Sequence, residues 1–278
     1  MRRAIGVFDS GVGGLSVLRA LRARLPAEDF IYIADSGHAP YGERDDDFLR
    51  RRSATIAAHL AAQNISALVV ACNTATAAAI DELRQHHPQL PIVGVEPALK
   101  PAVLATRTHR VGVMATRSTL ASSRFRALQD AVGEQVTFVL QPCDGLADSI
   151  EQEAMSGHAT AARTLCAEYI QAMGRFGDAP GAIDTLVLGC THYPFAIGHL
   201  SDLLPPSVQI LDNGDAIARQ TERLLSQREA KHLVQGATNF SSPPRGEVQL
   251  ITTGDPQRLQ AAAARWLGLE VPVQSLRL

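Results

Sequence analysis

The chain has 278 residues, a formal net charge of -2, 46% apolar residues and four cysteines. That length holds one large or two modest domains with real cores, and the near-neutral charge excludes electrostatic capture by nucleic acid or an anionic membrane. No apolar stretch approaches a membrane span, the opening MRRAIGVFDSG lacks the long apolar run of a secretory signal, and cysteines 72, 143, 166 and 190 lack CxxC spacing, which points to a reducing cytoplasm.

Short apolar runs alternate with amphipathic stretches from end to end, which predicts an α/β fold with mostly parallel sheets. In chain order the apolar runs predict strands at 4–8, 30–34, 67–71, 92–95, 111–114, 136–140, 185–188, 209–211 and 248–252. The 3.6-residue pattern predicts helices at 15–25, 45–63, 75–86, 121–132, 159–175, 215–228 and 256–267. Of the 26 basic residues only Lys100 and Lys231 are lysines. The arginines at 19, 22 and 24 and at 50–52 read as solvated helix faces, not a phosphate track.

The second half echoes the first. AIGVFDSG opens the chain and RVGVMATRST (110–119) restarts it, each a short strand running into a polar turn, and each followed later by a cysteine-bearing strand. This predicts two related lobes, residues 1–96 plus 212–278 and residues 97–211. The Gly-, Ser- and Pro-rich stretch 235–246 reads as a surface loop of the first lobe.

The cysteine strands carry the chemistry. VVACNTAT (69–76) and LVLGCTHY (186–193) place Cys72 and Cys190, 118 positions apart, at the carboxyl ends of two similar strands, where parallel α/β sheets bind ligands. A helix starting just after each would aim N–H groups at the thiol and lower its pKa, making a thiolate available as a base. Cys143 and Cys166 lack this context and read as small core residues.

The turn DSGVGG (9–14) follows a strand and opens a helix, and Asp35 ends the next strand, as in a dinucleotide site. The glycine fingerprint fails because its last position is Ser16. The turn reads instead as presenting Asp9 and Ser10 to a ligand ammonium group. Asn73, Thr74 and Thr76 beside Cys72, and Thr191 and His192 beside Cys190, supply neutral donors for a carboxylate and a proton-shuttling imidazole. Any one of these polar residues could be a helix cap instead. Zinc held by Cys72, Cys190 and His192 has no compact ligand spacing behind it.

Taken together, DSGVGGLSV at 9–17, D-x4-PYG at 35–42, CNTAT at 72–76, VEPALKPA at 95–102, LGCTHYP at 188–194 and TTGDP at 252–256 make the chain similar to the glutamate racemases of the cofactor-independent aspartate/glutamate racemase superfamily. The resemblance implies two pseudo-symmetric parallel-sheet α/β lobes with glutamate in the cleft between them. It implies that Cys72 takes the α-proton of D-glutamate while Cys190 protonates the opposite face, roles exchanging for L-glutamate, assisted by Asp9 and His192. It implies substrate contacts at Ser10, Asn73, Thr74, Thr116, Thr119 and Thr191, acids at or near the site at Asp35 and Glu151, and a pocket lined by Pro40, Tyr41 and Gly42. No cofactor or metal is implied, and a cytoplasmic homodimer supplying D-glutamate to peptidoglycan is. Two departures stand out. The stretch CDGLADSIE (143–151) lacks the prolines that many members carry there, so Glu151 rests on register alone. The N-terminal extension through which some members respond to a cell-wall precursor is missing, so no such dependence is expected.

The chemistry is coherent on its own terms. Inverting an α-carbon without a cofactor needs a base on one face and an acid on the other, hence one thiolate and one thiol, and donors for the carbanion's carboxylate. Three rivals remain open: an aspartate or other racemase of the same superfamily, a two-lobed amino-acid binding protein, and a thiol hydrolase. The last two leave a cysteine without a task.

Overall fold

The computed structural model describes residues 3–133, 135–232 and 246–278. The predicted surface loop at 235–246 lies, but for Gly246, outside the described residues. The chain begins β1 (Ile5–Asp9), α1 (Leu15–Arg24), β2 (Phe30–Ala34), α2 (Asp46–Ala62), β3 (Ala67–Val70), α3 (Asn73–His86), β4 (Ile92–Gly94) and α4 (Leu99–Ala105). It continues with β5 (Arg110–Ala115), α5 (Arg117–Ala121), α6 (Ser123–Val132), β6 (Thr137–Pro142), α7 (Leu146–Ser156), α8 (Thr160–Met173) and β7 (Thr185–Gly189). It finishes with α9 (Ile197–Leu203), β8 (Gln209–Leu211), α10 (Gly214–His232), β9 (Val248–Thr252), α11 (Pro256–Leu267) and β10 (Val273–Ser275).

The strands form two sheets, β10-β9-β2-β1-β3-β4 and β6-β5-β7-β8, with every pairing parallel. The order β2-β1-β3-β4 repeats as β6-β5-β7-β8, so the echo in the sequence is a repeat of topology, with β3 and β7 in equivalent places. The strands IGVFD, FIYIA, ALVV and TLVLG are buried at every position, as expected where helices cover both faces of a parallel sheet. Alternation sorts them: Phe30, Tyr32 and Ala34 enter the core on one face, Ile31 and Ile33 that on the other.

All nine predicted strands exist, with ends shifted by two residues or fewer; β10 was not predicted. Helices α4, α5, α7 and α9 were also missed. The helix expected at 121–132 is α6 and starts only at Ser123, because Ser122 stays extended (φ -67°, ψ 147°), separating it from α5, and caps α6 by accepting the Phe125 N–H at 3.1 Å.

Two crossings join the sheets, after β4 and after β8. Asn213 donates from its amide to the Glu96 carbonyl at 2.7 Å, pinning one crossing to the other. Arg124 of α6 pairs with Glu96 at 2.6 Å and with Asp81 of α3 at 3.0 Å. On the far side Phe195 stacks on Trp266 of α11, with ring centroids 3.7 Å apart. The lobes are thus joined on both flanks of the cleft between them.

Candidate active site

Cys72 follows β3 and opens α3. Its backbone is extended and its Sγ accepts the Ala75 N–H at 3.4 Å, so the thiol itself caps the helix. The expected fall in its pKa does not follow: burial, with the Asp9 charge behind it, pushes the Cys72 thiol up despite the bonds from Ala75 and Ser10. Its Sγ donates to Ser10 Oγ at 3.6 Å, and Ser10 Oγ donates to Asp9 Oδ1 at 3.5 Å. Asp9 is fully buried and accepts the Gly14 N–H at 2.6 Å. Burial pushes its carboxyl up as well, against the His192 charge.

Cys190 differs from expectation in another way. After β7 the chain enters a 3-10 turn, Tyr193–Ala196, before α9, so no α-helix starts at this thiol. Its partner is a side chain: Sγ lies 3.7 Å from His192 Nδ1, and His192 Nε2 lies 2.7 Å from Glu151 Oε1. Burial alone would push the imidazole down, but the bonds and charges of Cys190 and Glu151 outweigh it and hold His192 well above its ordinary value. Glu151 is held low: burial opposes ionisation, and the His192 bond and charge, with the Val12 N–H, prevail. The two thiols therefore stand in parallel relays, Cys72–Ser10–Asp9 and Cys190–His192–Glu151. Each ends on a carboxylate, but only the second contains a group that can carry positive charge.

Close approach across the cleft depends on two glycines. A Cβ on Gly13 would meet His192 Cγ at 2.7 Å and Cε1 at 2.5 Å, with Nδ1 nearer still, and one on Gly11 would meet Glu151 Oε1 at 2.8 Å. Ser16 Oγ donates to the Thr191 carbonyl at 2.7 Å, fastening α1 to the turn that carries Cys190.

A cavity of about 1020 Å³ opens at the carboxyl ends of both sheets. It is lined by Ser10, Pro40, Tyr41, Gly42, Cys72, Asn73, Thr74, Thr116, Glu151, Cys190, Thr191 and His192, all expected at the site. Four expected residues are not among the lining ones. Thr76 is buried away from the cavity, its hydroxyl donating to the Val70 carbonyl at 3.2 Å and accepting the Val95 N–H at 3.1 Å. Asp9 lies behind Ser10; Asp35 is buried behind Tyr41, whose hydroxyl donates to it at 2.6 Å. Thr119 sits beneath Thr116, whose hydroxyl donates to it at 2.8 Å, and borders a second space of about 10 Å³, room for one water. Both polar atoms of the Asn73 amide are buried without a protein partner, a costly arrangement unless something else binds them.

The sequence reading missed several lining residues. Cys143, which by sequence reads as a core residue, is buried yet borders the cavity, and Arg117, Asp144, Asp148 and Arg258 add charge around it. Among the described residues no three His, Cys, Asp or Glu side chains come together as metal ligands would, so the zinc alternative finds no site.

Over residues 5–221 the chain matches the family described as Asp/Glu/Hydantoin racemase. It belongs to that family. A glutamate racemase of Ectopseudomonas mendocina is 48% identical over 97% of this chain and 96% of its own length. A glutamate racemase of Pseudomonas aeruginosa is 50% identical over 84% of this chain and 86% of its own. Among solved structures, the glutamate racemase isoform RacE1 of Bacillus anthracis superposes with a TM-score of 0.84 at 27% identity, covering 99% of this chain and 98% of its own. The Escherichia coli glutamate racemase, solved with L-glutamate and the activator UDP-MurNAc-ala, superposes at 0.79 and 30% identity over 99% and 98%. This family member is thus a racemase, an isomerase, with two parallel-sheet α/β lobes.

Proposed function

We propose that this chain is a glutamate racemase that inverts the α-carbon by proton transfer between Cys72 and Cys190. The observation that carries the reading is that both thiols, at the ends of the equivalent strands β3 and β7, line one cavity. In this reading L-glutamate gives its α-proton to Cys190 while Cys72 delivers its own to the opposite face, and D-glutamate reverses the roles. The ion-pair partner that a thiolate needs, the His192 imidazolium, stands beside Cys190, and Cys72 is held as a thiol by its burial. That asymmetry supplies the one-base, one-acid state that inversion requires. The unpartnered Asn73 amide and the hydroxyls of Thr74, Thr116 and Thr191 are donors for the substrate's carboxylates, where negative charge grows in the carbanion. Ser10 faces the ammonium group, with Asp9 behind it. The wall at 40–42 closes one side, and no cofactor enters the scheme.

Around this site we assign residues 1–96 plus 212–278 to one lobe and 97–211 to the other, a division supported by sheet membership. We further assign the enzyme to a cytoplasmic homodimer that supplies D-glutamate for peptidoglycan. No helix among the described residues is long and apolar enough to cross a membrane, in keeping with that assignment.

The test is incubation in D2O with each enantiomer of glutamate, followed by proton NMR and chiral analysis. Deuterium should appear at Cα with inversion, and Cys72→Ser and Cys190→Ser should each abolish racemisation. Preference for aspartate would overturn the substrate, and full activity in either variant would overturn the two-thiol scheme.

A further inference from the structure

Arg52 is the last of three consecutive arginines, a run that reads as solvated. It is instead buried on the inner face of α2, 8% exposed. Its Nε and Nη2 each donate to Asp35 at 2.7 Å, and its Nη1 donates to the Leu278 carbonyl at 3.3 Å. Asp35 also accepts the Tyr41 hydroxyl at 2.6 Å and the Thr253 hydroxyl at 2.7 Å, and His38 Nδ1 lies 3.1 Å away. A carboxylate has about four lone-pair sites, so this one has none left for a ligand, and it does not border the cavity. Thr253 belongs to the TTGDP stretch, for which the racemase scheme gives no task.

Tyr41 is the link outward. Its side chain is buried in the same apolar cluster as Cys72, while the segment from Ala39 to Gly42 lines the cavity. Gly42 reaches the second lobe: a Cβ there would stand 3.6 Å from Thr116 Cβ. The wall is therefore pinned from behind by a fork of two charge-assisted bonds, whose geometry only an arginine can supply.

We propose that Arg52 is a positioning residue for the active site: through Asp35 and Tyr41 it sets how closely the 39–42 wall stands over Cys72. Its kinetic consequence rests on the glutamate reading; its steric consequence does not.

The test uses Arg52→Met, Arg52→Lys and Tyr41→Phe in the full chain, with circular dichroism to establish folding. Arg52→Met should raise KM for L-glutamate about tenfold and change kcat less, the mark of weakened binding in ground and transition states alike. Arg52→Lys keeps the charge without the fork and should fall between. Without substrate, iodoacetamide labelling of Cys72, read by peptide mass spectrometry, should quicken in Arg52→Met while labelling of Cys190 stays unchanged. Should Arg52→Met not fold, Tyr41→Phe, which removes one neutral donor and unpairs no charge, should give the same pattern at smaller amplitude. Folded variants with wild-type Cys72 labelling overturn the proposal, whatever their KM. A wild type inactive on glutamate overturns the substrate assignment alone, since the labelling still decides on Arg52.

Discussion

Replacing Gly13 by alanine should cost the enzyme most of its activity at little cost to its fold. The added methyl would stand 2.7 Å from His192 Cγ and 2.5 Å from Cε1, closer than carbon atoms tolerate, and the ring would have to move. His192 is held between Cys190 Sγ and Glu151 Oε1, so any displacement lengthens one or both of those contacts. A lost hydrogen bond to a charged group is worth roughly 1.5–3 kcal/mol, which as lost transition-state stabilisation is roughly ten- to 150-fold in rate. Misplaced proton-transfer groups cost about 10²–10⁴-fold, so a fall of about 10² in kcat/KM is expected. Overpacking should lower stability by about 1–3 kcal/mol, a melting-temperature loss of several degrees for a chain of this size. Circular dichroism at a chiral wavelength follows both directions. The fall must be equal in both, because the enantiomers have equal free energy. A folded Gly13→Ala enzyme with wild-type kcat/KM would refute the claim that His192 must stay where Gly13 lets it sit.

Gly198 provides the contrast, because a Cβ there meets nothing within 4 Å. Gly198→Ala, inside α9, should stabilise by up to about 1 kcal/mol and leave turnover unchanged; a lower melting temperature would contradict the open space. Asp184 accepts from the Thr106 and Thr185 hydroxyls and from the N–H groups of Arg107 and Thr108, at the end of β7 opposite the cavity. Burial opposes its ionisation, but these donors hold its pKa below the ordinary carboxylate value. Its contribution is therefore complete above about pH 5 and lost as pH falls through the depressed value. Asp184→Asn should cost about 1–3 kcal/mol at neutral pH and flatten the acid limb in urea unfolding; parallel wild-type and variant limbs would disprove it. Glu151→Gln removes the charge that helps hold His192 protonated. Because His192 is raised in the folded protein, its contribution is full below about pH 6.5 and fades as pH climbs through the raised value. The variant should be less active by about 10²-fold, with Cys190 alkylated more slowly at neutral pH; unchanged alkylation would sever Glu151 from Cys190.

How much of this was legible in the sequence depended on how local the cause was. Buried parallel strands announce themselves as unbroken apolar runs, and both cysteine turns sit at the ends of such runs. Helix α7, which carries Glu151, was hidden by its polar composition, LADSIEQEAMS. Its signal was nonetheless there, in the stripe Leu146, Ile150 and Ala154 between Gly145 and Gly157, both at φ +76°. Strand β10 offers only a half-buried Val273 and exists because β9 supplies a partner. Arg52 shares the inner face of α2 with Leu49, Ser53, Ile56 and Leu60, so helical periodicity placed it inward although composition suggested solvent. Its partner Asp35, on a different element, is the kind of pairing no local pattern reveals. The Cys72 pKa failed as an expectation for the same reason: a helix terminus is local, whereas burial and the Asp9 charge come from the assembled site.

One property of the first sheet bears on how the molecule comes into being. Strand β2 pairs with β1 on one side and with β9 on the other, and Thr253 reaches Asp35 across 218 positions of sequence. During synthesis, β2 must therefore wait as an open edge while the whole β5–β8 sheet, made of one contiguous stretch, emerges and pairs. Unpaired edges invite wrong partners, and contacts this distant are slow to form. The last strands made, β9 and β10, seal that edge, and with them Thr253 and Leu278 arrive to complete the ring of partners around Asp35 and Arg52.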